Sequence, residues 1–224
     1  MKRYVFDIET EKTADEVGGW KNKHCMGIAV LCAEDYDSGE KFVFSESFDG
    51  ALGLDGLKDV LDGAILIGHN IKCFDMILLQ HEVAKRNGSP ILKVGIIDTG
   101  LKRISLGSMA GATLGTAKLM DGALAPIEWR RGAEARKKVV EYCMDDVKKS
   151  KELMMFGVKN GYVMYTDKDK NMRRLDVDWK EKLNNLNPSE QLPGCVGKYC
   201  DAKEQWQCAR CAFKYICKKK SGVD

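Results

Sequence analysis

The stretch Arg3-Tyr4-Val5-Phe6-Asp7-Ile8-Glu9 alternates with the period of a β-strand, sending Val5, Asp7 and Glu9 to one face and Tyr4, Phe6 and Ile8 to the other. The strand is expected to end at Thr10, so it presents two acids together. "CMGIAVLCAED" and "KFVFSE" read as the next strands, joined by the turn "YDSGE", which opens the chain with an antiparallel meander. Then "LKDVLDG" reads as a short helix and "AILIG" as a buried strand. "FDMILLQHEVAKRNG" reads as a helix stopped by Gly88, and "VGIID" as another buried strand. Strands followed by alternating helices define an α/β fold.

Further along, "SLGSMAGATLG" is expected to form a small helix. The segment from Gly132 to about Gly161 forms a long one, with Val139, Val140, Cys143, Val147 and Met154 lining one face. "YVMYTDKDKNMRRLDVDW" resembles a polar hairpin around Lys168 to Asn171. "NNLNPSEQLPGC" has the Asn and Pro content of a linker. These readings divide the chain into a main domain over 1–182, a linker over 183–194 and a Cys-rich tail over 195–224.

At 224 residues and 44% hydrophobic composition the chain can bury one substantial core with a small appendage. The net charge of +3 is concentrated at the end, where residues 195–224 carry seven Lys or Arg against three acids. A basic end suits an anionic partner such as nucleic acid, and a solvated terminus equally well. No apolar run is long enough to span a bilayer. The opening "MKRYVFDIETEK" lacks the apolar stretch of a secretion signal, so a cytoplasmic location without membrane contact is expected. In that setting the nine cysteines are expected to be reduced thiols, some binding metal.

Three places carry acids in a suggestive context. Asp7 and Glu9 share a strand face, and two like charges there are best tolerated around a cation; hard oxygen ligands suit Mg²⁺ or Mn²⁺. The bland alternative is that acids at a strand end face water. Asp75, in "GHNIKCFDMILL", begins an otherwise apolar helix, where complementing the helix dipole would by itself explain an acid. In "EYCMDDVKKS", Tyr142 and Asp146 are four residues apart and share a helix face, whereas Asp145 is rotated by about 100°. A half-buried phenol with a satisfied hydroxyl is the plain reading there. His69 is expected to be a turn residue with a satisfied imidazole.

Taken together, the three resemble the motifs of the DEDD family of 3′-to-5′ exonucleases. Asp7-Ile8-Glu9 is similar to the family's first motif, Asn70 with Phe74-Asp75 to the second, and Tyr142 with Asp146 to the third. Position 141 is Glu, not the His that the histidine variant would carry five residues before its last Asp, so the match is to the tyrosine variant. The resemblance covers roughly residues 3–165. It implies a ribonuclease H-like mixed sheet and hydrolysis of phosphodiester bonds with two Mg²⁺ or Mn²⁺ ions. It further implies that Asp7, Glu9, Asp75 and Asp146 hold the ions, Tyr142 orients the attacking water, and Asn70 and Ile8 contact the substrate. An unperturbed phenol titrates near pH 10, so a positioning role for Tyr142 is more economical than that of a base.

Lys102, Arg103, Arg130, Arg131 and the run Arg136-Lys137-Lys138 are candidates for holding substrate phosphates, with Trp129 placed to stack on a base. There is no Walker loop, and the chain is too short to hold a polymerase beside the nuclease; a free-standing trimming module with a possible helicase or polymerase partner is expected. Single-stranded DNA 3′ ends are the favoured substrate, with RNA second. The alternatives are a non-catalytic nucleic-acid-binding or adaptor protein on the same fold, and a structure-specific endonuclease.

In the tail, Cys195-x4-Cys200 followed by Cys208-x2-Cys211 has the pair spacing of a structural zinc site. Cys208, Cys211 and Cys217 with Trp206 also look like the iron-sulfur staple of some recombination and CRISPR-associated nucleases, so Zn²⁺ is expected with a [4Fe-4S] cluster as the alternative. Cys25, Cys32, Cys73 and Cys143 lie in apolar runs and are expected in the core.

Overall fold

The computed structural model describes residues 1–87, 93–101, 104–117 and 120–190 of the chain. The expected Cys-rich metal module, with Cys195, Cys200, Cys208, Cys211 and Cys217, lies outside the described residues, as do Lys102 and Arg103. β1 (Arg3–Thr10) pairs antiparallel with β2 (Ile28–Asp35), in register from Tyr4↔Asp35 to Glu9↔Val30. β3 (Lys41–Phe44) completes the meander. After α1 (Leu57–Leu61), β4 (Ile65–Gly68) lies parallel to β1; after α2 (Asp75–Asn87), β5 (Lys93–Asp98) lies parallel to β4.

The chain continues through α3 (Leu106–Leu114), α4 (Ala125–Trp129) and the long α5 (Ala133–Asn160). Next come the hairpin β6 (Tyr162–Thr166) and β7 (Met172–Asp176), then α6 (Trp179–Asn185) and the short strand β8 (Ser189–Glu190). The strand order of the main sheet is β3-β2-β1-β4-β5-β8, so the fold is α/β with a mixed sheet and β1 near its middle. Among the described residues no helix is long and apolar enough to cross a membrane.

The alternation read from β1 is realised in two cores. Tyr4, Phe6 and Ile8 pack with Leu57 and Leu61 of α1 and Leu79 and Val83 of α2. Val5 packs on the opposite face with Ile65, Ile67 and the α5 residues Val139, Cys143 and Val147. Each fully buried side chain of this kind contributes about 1.5–3 kcal/mol. The face that carries Asp7 and Glu9 is therefore the face that α5 covers, while α2 packs on the other.

The segment expected to be a linker from residue 183 is more ordered than its composition suggests. Trp179 and Leu183, four apart, form the buried stripe of α6, and Gly157 of α5 leaves room for the indole: a Cβ there would lie 2.3 Å from Trp179. β8 then pairs antiparallel with β5, Val94↔Ser189. Two apolar residues at helical spacing outweigh the polar residues around them.

Candidate active site

The three acidic stations meet at the C-terminal ends of the parallel strands, where open α/β sheets form their crevices. The β1–β4 register ends at Val5↔Ile67, and beyond it Asp75, at the start of α2, accepts the Ile8 N–H at 3.1 Å. From the α5 side, the Cys143 thiol donates to the Asp7 carbonyl at 3.4 Å, and the Cys32 thiol donates to Val140 at 3.8 Å. Tyr142 is hydrogen-bonded to Asp146, one turn away. Asp145, adjacent in the chain, points elsewhere and pairs with Lys149.

Electrostatics reports the same convergence. Asp7 is pushed well above the carboxylate range by burial and then by the charges of Asp75, Glu9 and Asp146. Burial pushes Asp75 up to about 7; the Ile8 N–H opposes the shift and Asp98 adds to it. Burial, followed by the charges of Asp146 and Glu9, raises the Tyr142 phenol above its usual value. The phenol is thus a proton donor throughout neutral pH. Burial, the Cys32 thiol and the charges of Asp7 and Glu9 keep Cys143 protonated, which suits a thiol that anchors backbone.

Asp98 is a site-building residue that the sequence reading passed over. Its carboxylate accepts the N–H groups of Asn70 at 2.8 Å, Lys72 at 3.0 Å and Gly100 at 2.8 Å, and so holds the turn from β4 to α2. Asn70 sits in that turn with φ 60, a conformation Asn tolerates better than most residues, and its side chain is exposed. The turn crosses so close to β5 that a Cβ at Gly100 would lie 2.5 Å from the Asn70 nitrogen. An acid ending the apolar strand "VGIID" was the available signal. His69 is satisfied as expected, with Nε2 2.8 Å from the Ile104 carbonyl; burial lowers its pKa.

Several candidates stand differently from expectation. Ile8 is buried in the core, so its side chain does not reach a substrate surface. Trp129 is also buried, beneath the Arg136 guanidinium at 5.7 Å, and is not available to stack on a base. Arg136 itself donates to the Ser47 and Trp129 carbonyls, at 2.8 Å and 3.2 Å. Arg130 pairs with Glu16 at 2.5 Å and Arg131 with Glu128, each arginine keeping an exposed side. Cys32 and Cys143 are core residues, but Cys25, at the end of a short helical segment, and Cys73, in the turn before α2, are exposed.

Among the described residues, no group of three or more His, Cys, Asp or Glu side chains is gathered closely enough to hold a metal ion as it stands. The donor set itself is suited to hard divalent cations: carboxylates from β1, α2 and α5, with Asp7 raised by its three neighbours and no Lys or Arg among its main influences. Compared with known proteins, the chain matches no family model and no curated sequence.

Proposed function

We propose that this chain is a 3′-to-5′ exonuclease that hydrolyses the terminal phosphodiester of single-stranded nucleic acid, DNA in preference to RNA. The observation that supports it most is the gathering of Asp7, Glu9, Asp75 and Asp146, from positions far apart in the chain, close enough that the other three all raise Asp7. The strand order β3-β2-β1-β4-β5, with β2 antiparallel to β1, is compatible with a ribonuclease H-like arrangement.

In this reading the four carboxylates hold Mg²⁺ or Mn²⁺. Such ions, when bound, neutralise phosphate charge and make water acidic enough to yield a nucleophile near neutral pH. Tyr142, protonated and hydrogen-bonded to Asp146, would orient the attacking water through its hydroxyl oxygen. Asn70, fixed by Asp98, offers its exposed amide to the terminal nucleotide. Water adds its oxygen to phosphorus, the bond from phosphorus to the 3′ oxygen breaks, and that oxygen ends protonated. The products are a 5′-mononucleotide and a strand one residue shorter with a free 3′ hydroxyl.

A second reading, a nucleic-acid-binding protein without catalysis, is favoured by the absence, among the described residues, of any three side chains closed around a metal position. Carboxyls whose pKa values burial and mutual charge raise, as at Asp7 and Asp75, are expected to close around a cation only as it displaces their protons, which reconciles that observation with the nuclease. End-labelled single strands with free and blocked 3′ ends, incubated with Mg²⁺ or Mn²⁺, separate the cases. The exonuclease shortens only free ends; internal cuts in blocked strands indicate an endonuclease; binding without cleavage indicates the adaptor.

A further inference from the structure

Trp20 is 67% exposed, whereas the chain buries Trp129 and Trp179. An isolated exposed apolar residue needs no explanation. This one is held in place. The short helical segment Trp20–Cys25 is fastened to the entrance of α2 by three contacts. The Trp20 ring meets Phe74 edge-on at 5.8 Å, the Lys23 ammonium donates to the Cys73 carbonyl at 2.6 Å, and His24 lies against His81 at 5.4 Å. On its other side the same connection is tied to Arg130 through Glu16, whose carboxyl the guanidinium holds down at about 2.

Two successive glycines, Gly18 at φ 78 and Gly19 at φ 103, turn the chain immediately before the indole. Neither conformation suits a residue with a side chain, so the direction in which Trp20 leaves the turn is built into the backbone. Phe74, which supports it, immediately precedes Asp75. The exposed indole is thus held against the residue that precedes Asp75, and Lys21 and Lys23 follow it in the chain. An aromatic face interleaved with basic residues is the arrangement that binds a single strand, the ring taking a base and the cations its phosphates.

We propose that Trp20, supported by Phe74, is the platform on which the base of the 3′-terminal nucleotide stacks, and that it selects unpaired ends. This assignment rests on the nuclease reading above and names the substrate feature that its site recognises. A base inside a duplex has both faces occupied by its neighbours; an unpaired terminal base has a face to give.

The test is steady-state cleavage of short 5′-labelled single-stranded DNA whose 3′-terminal nucleotide either carries its base or is abasic, with Mn²⁺ present. Wild type, Trp20→Ala and Trp20→Phe are compared. On the base-bearing strand Trp20→Ala is expected to raise KM by about 5- to 150-fold, the range carried by one base–aromatic stack, with kcat unchanged. Trp20→Phe should keep most of the wild-type KM. On the abasic strand wild type and Trp20→Ala should have the same KM. Equal KM values on the base-bearing strand overturn the assignment, and so does a loss that persists on the abasic strand, which would mean that Trp20 only supports the fold. Wild type that cleaves neither strand brings down the nuclease reading, and this assignment with it.

Discussion

Asp145 and Asp146 are neighbours on α5 and belong to different regions of the molecule. Asp145 pairs with Lys149, one turn on. Asp146 faces Tyr142 and lies close enough to Asp7 to raise its pKa. The contrast extends through the fold. Away from the crevice, buried acids are matched by the chain's own cations: Glu34 by Lys151 at 2.6 Å and Glu82 by Arg86 at 2.6 Å. In the crevice, burial of Asp7 is aggravated by three more carboxylates. The first arrangement pairs charge with charge and builds structure, whereas carboxyls that raise one another are suited to a cation from outside.

The sharpest way to break this comparison is to neutralise one acid of each kind. Asp7→Asn should slow strand cleavage by about 10³-fold, measured with saturating Mn²⁺, while Asp145→Asn leaves the rate at the wild-type value. Equal losses would erase the distinction. Lys151→Met should leave Glu34 buried without its cation and cost about 3 kcal/mol in urea denaturation, with cleavage by the folded protein unchanged. Tyr142→Phe removes a positioning hydroxyl and keeps the ring in its packing, so a loss in kcat of about 10-fold is expected, with little change in stability.

Stability against pH sharpens the comparison further. Folded Asp75 keeps its proton up to about pH 7, whereas the unfolded chain releases it near 3.8, so the folded state binds more protons across that window. Without divalent ions, this group's contribution therefore falls as pH rises from about 4 to about 7. His69, whose pKa burial lowers, acts in the opposite sense: its contribution is lost as pH falls below 6.5. Asp75→Asn keeps an acceptor for the Ile8 N–H and removes the charge. It should raise the melting temperature of ion-free protein at pH 7.5 by about 3 °C, and not at pH 4.

Much of this architecture is legible in the residues. The two-residue period of β1 separates the two cores, and the 3.6-residue period of α5 sets Tyr142 and Asp146 on one side. What stayed hidden depends on contacts between distant segments. Asp98 reads as the last residue of an apolar strand; only its three backbone partners show that it shapes the Asn70 turn. Trp129 and Trp20 are both followed by basic residues, yet one is covered by α5 and the other stands out beyond two left-handed glycines. Local pattern carries no information about which surface a neighbouring helix will cover.

The central claim is that Asp7, Glu9, Asp75 and Asp146 together hold divalent cations. A calorimetric titration of the full chain with Mn²⁺ at pH 7.5 tests it most directly, with Asp7→Asn and Asp145→Asn alongside. Saturable binding of about two ions, abolished or reduced to one by Asp7→Asn and retained by Asp145→Asn, is the predicted result. Binding by wild type and Asp7→Asn that is indistinguishable, or none by wild type at millimolar Mn²⁺, would contradict it.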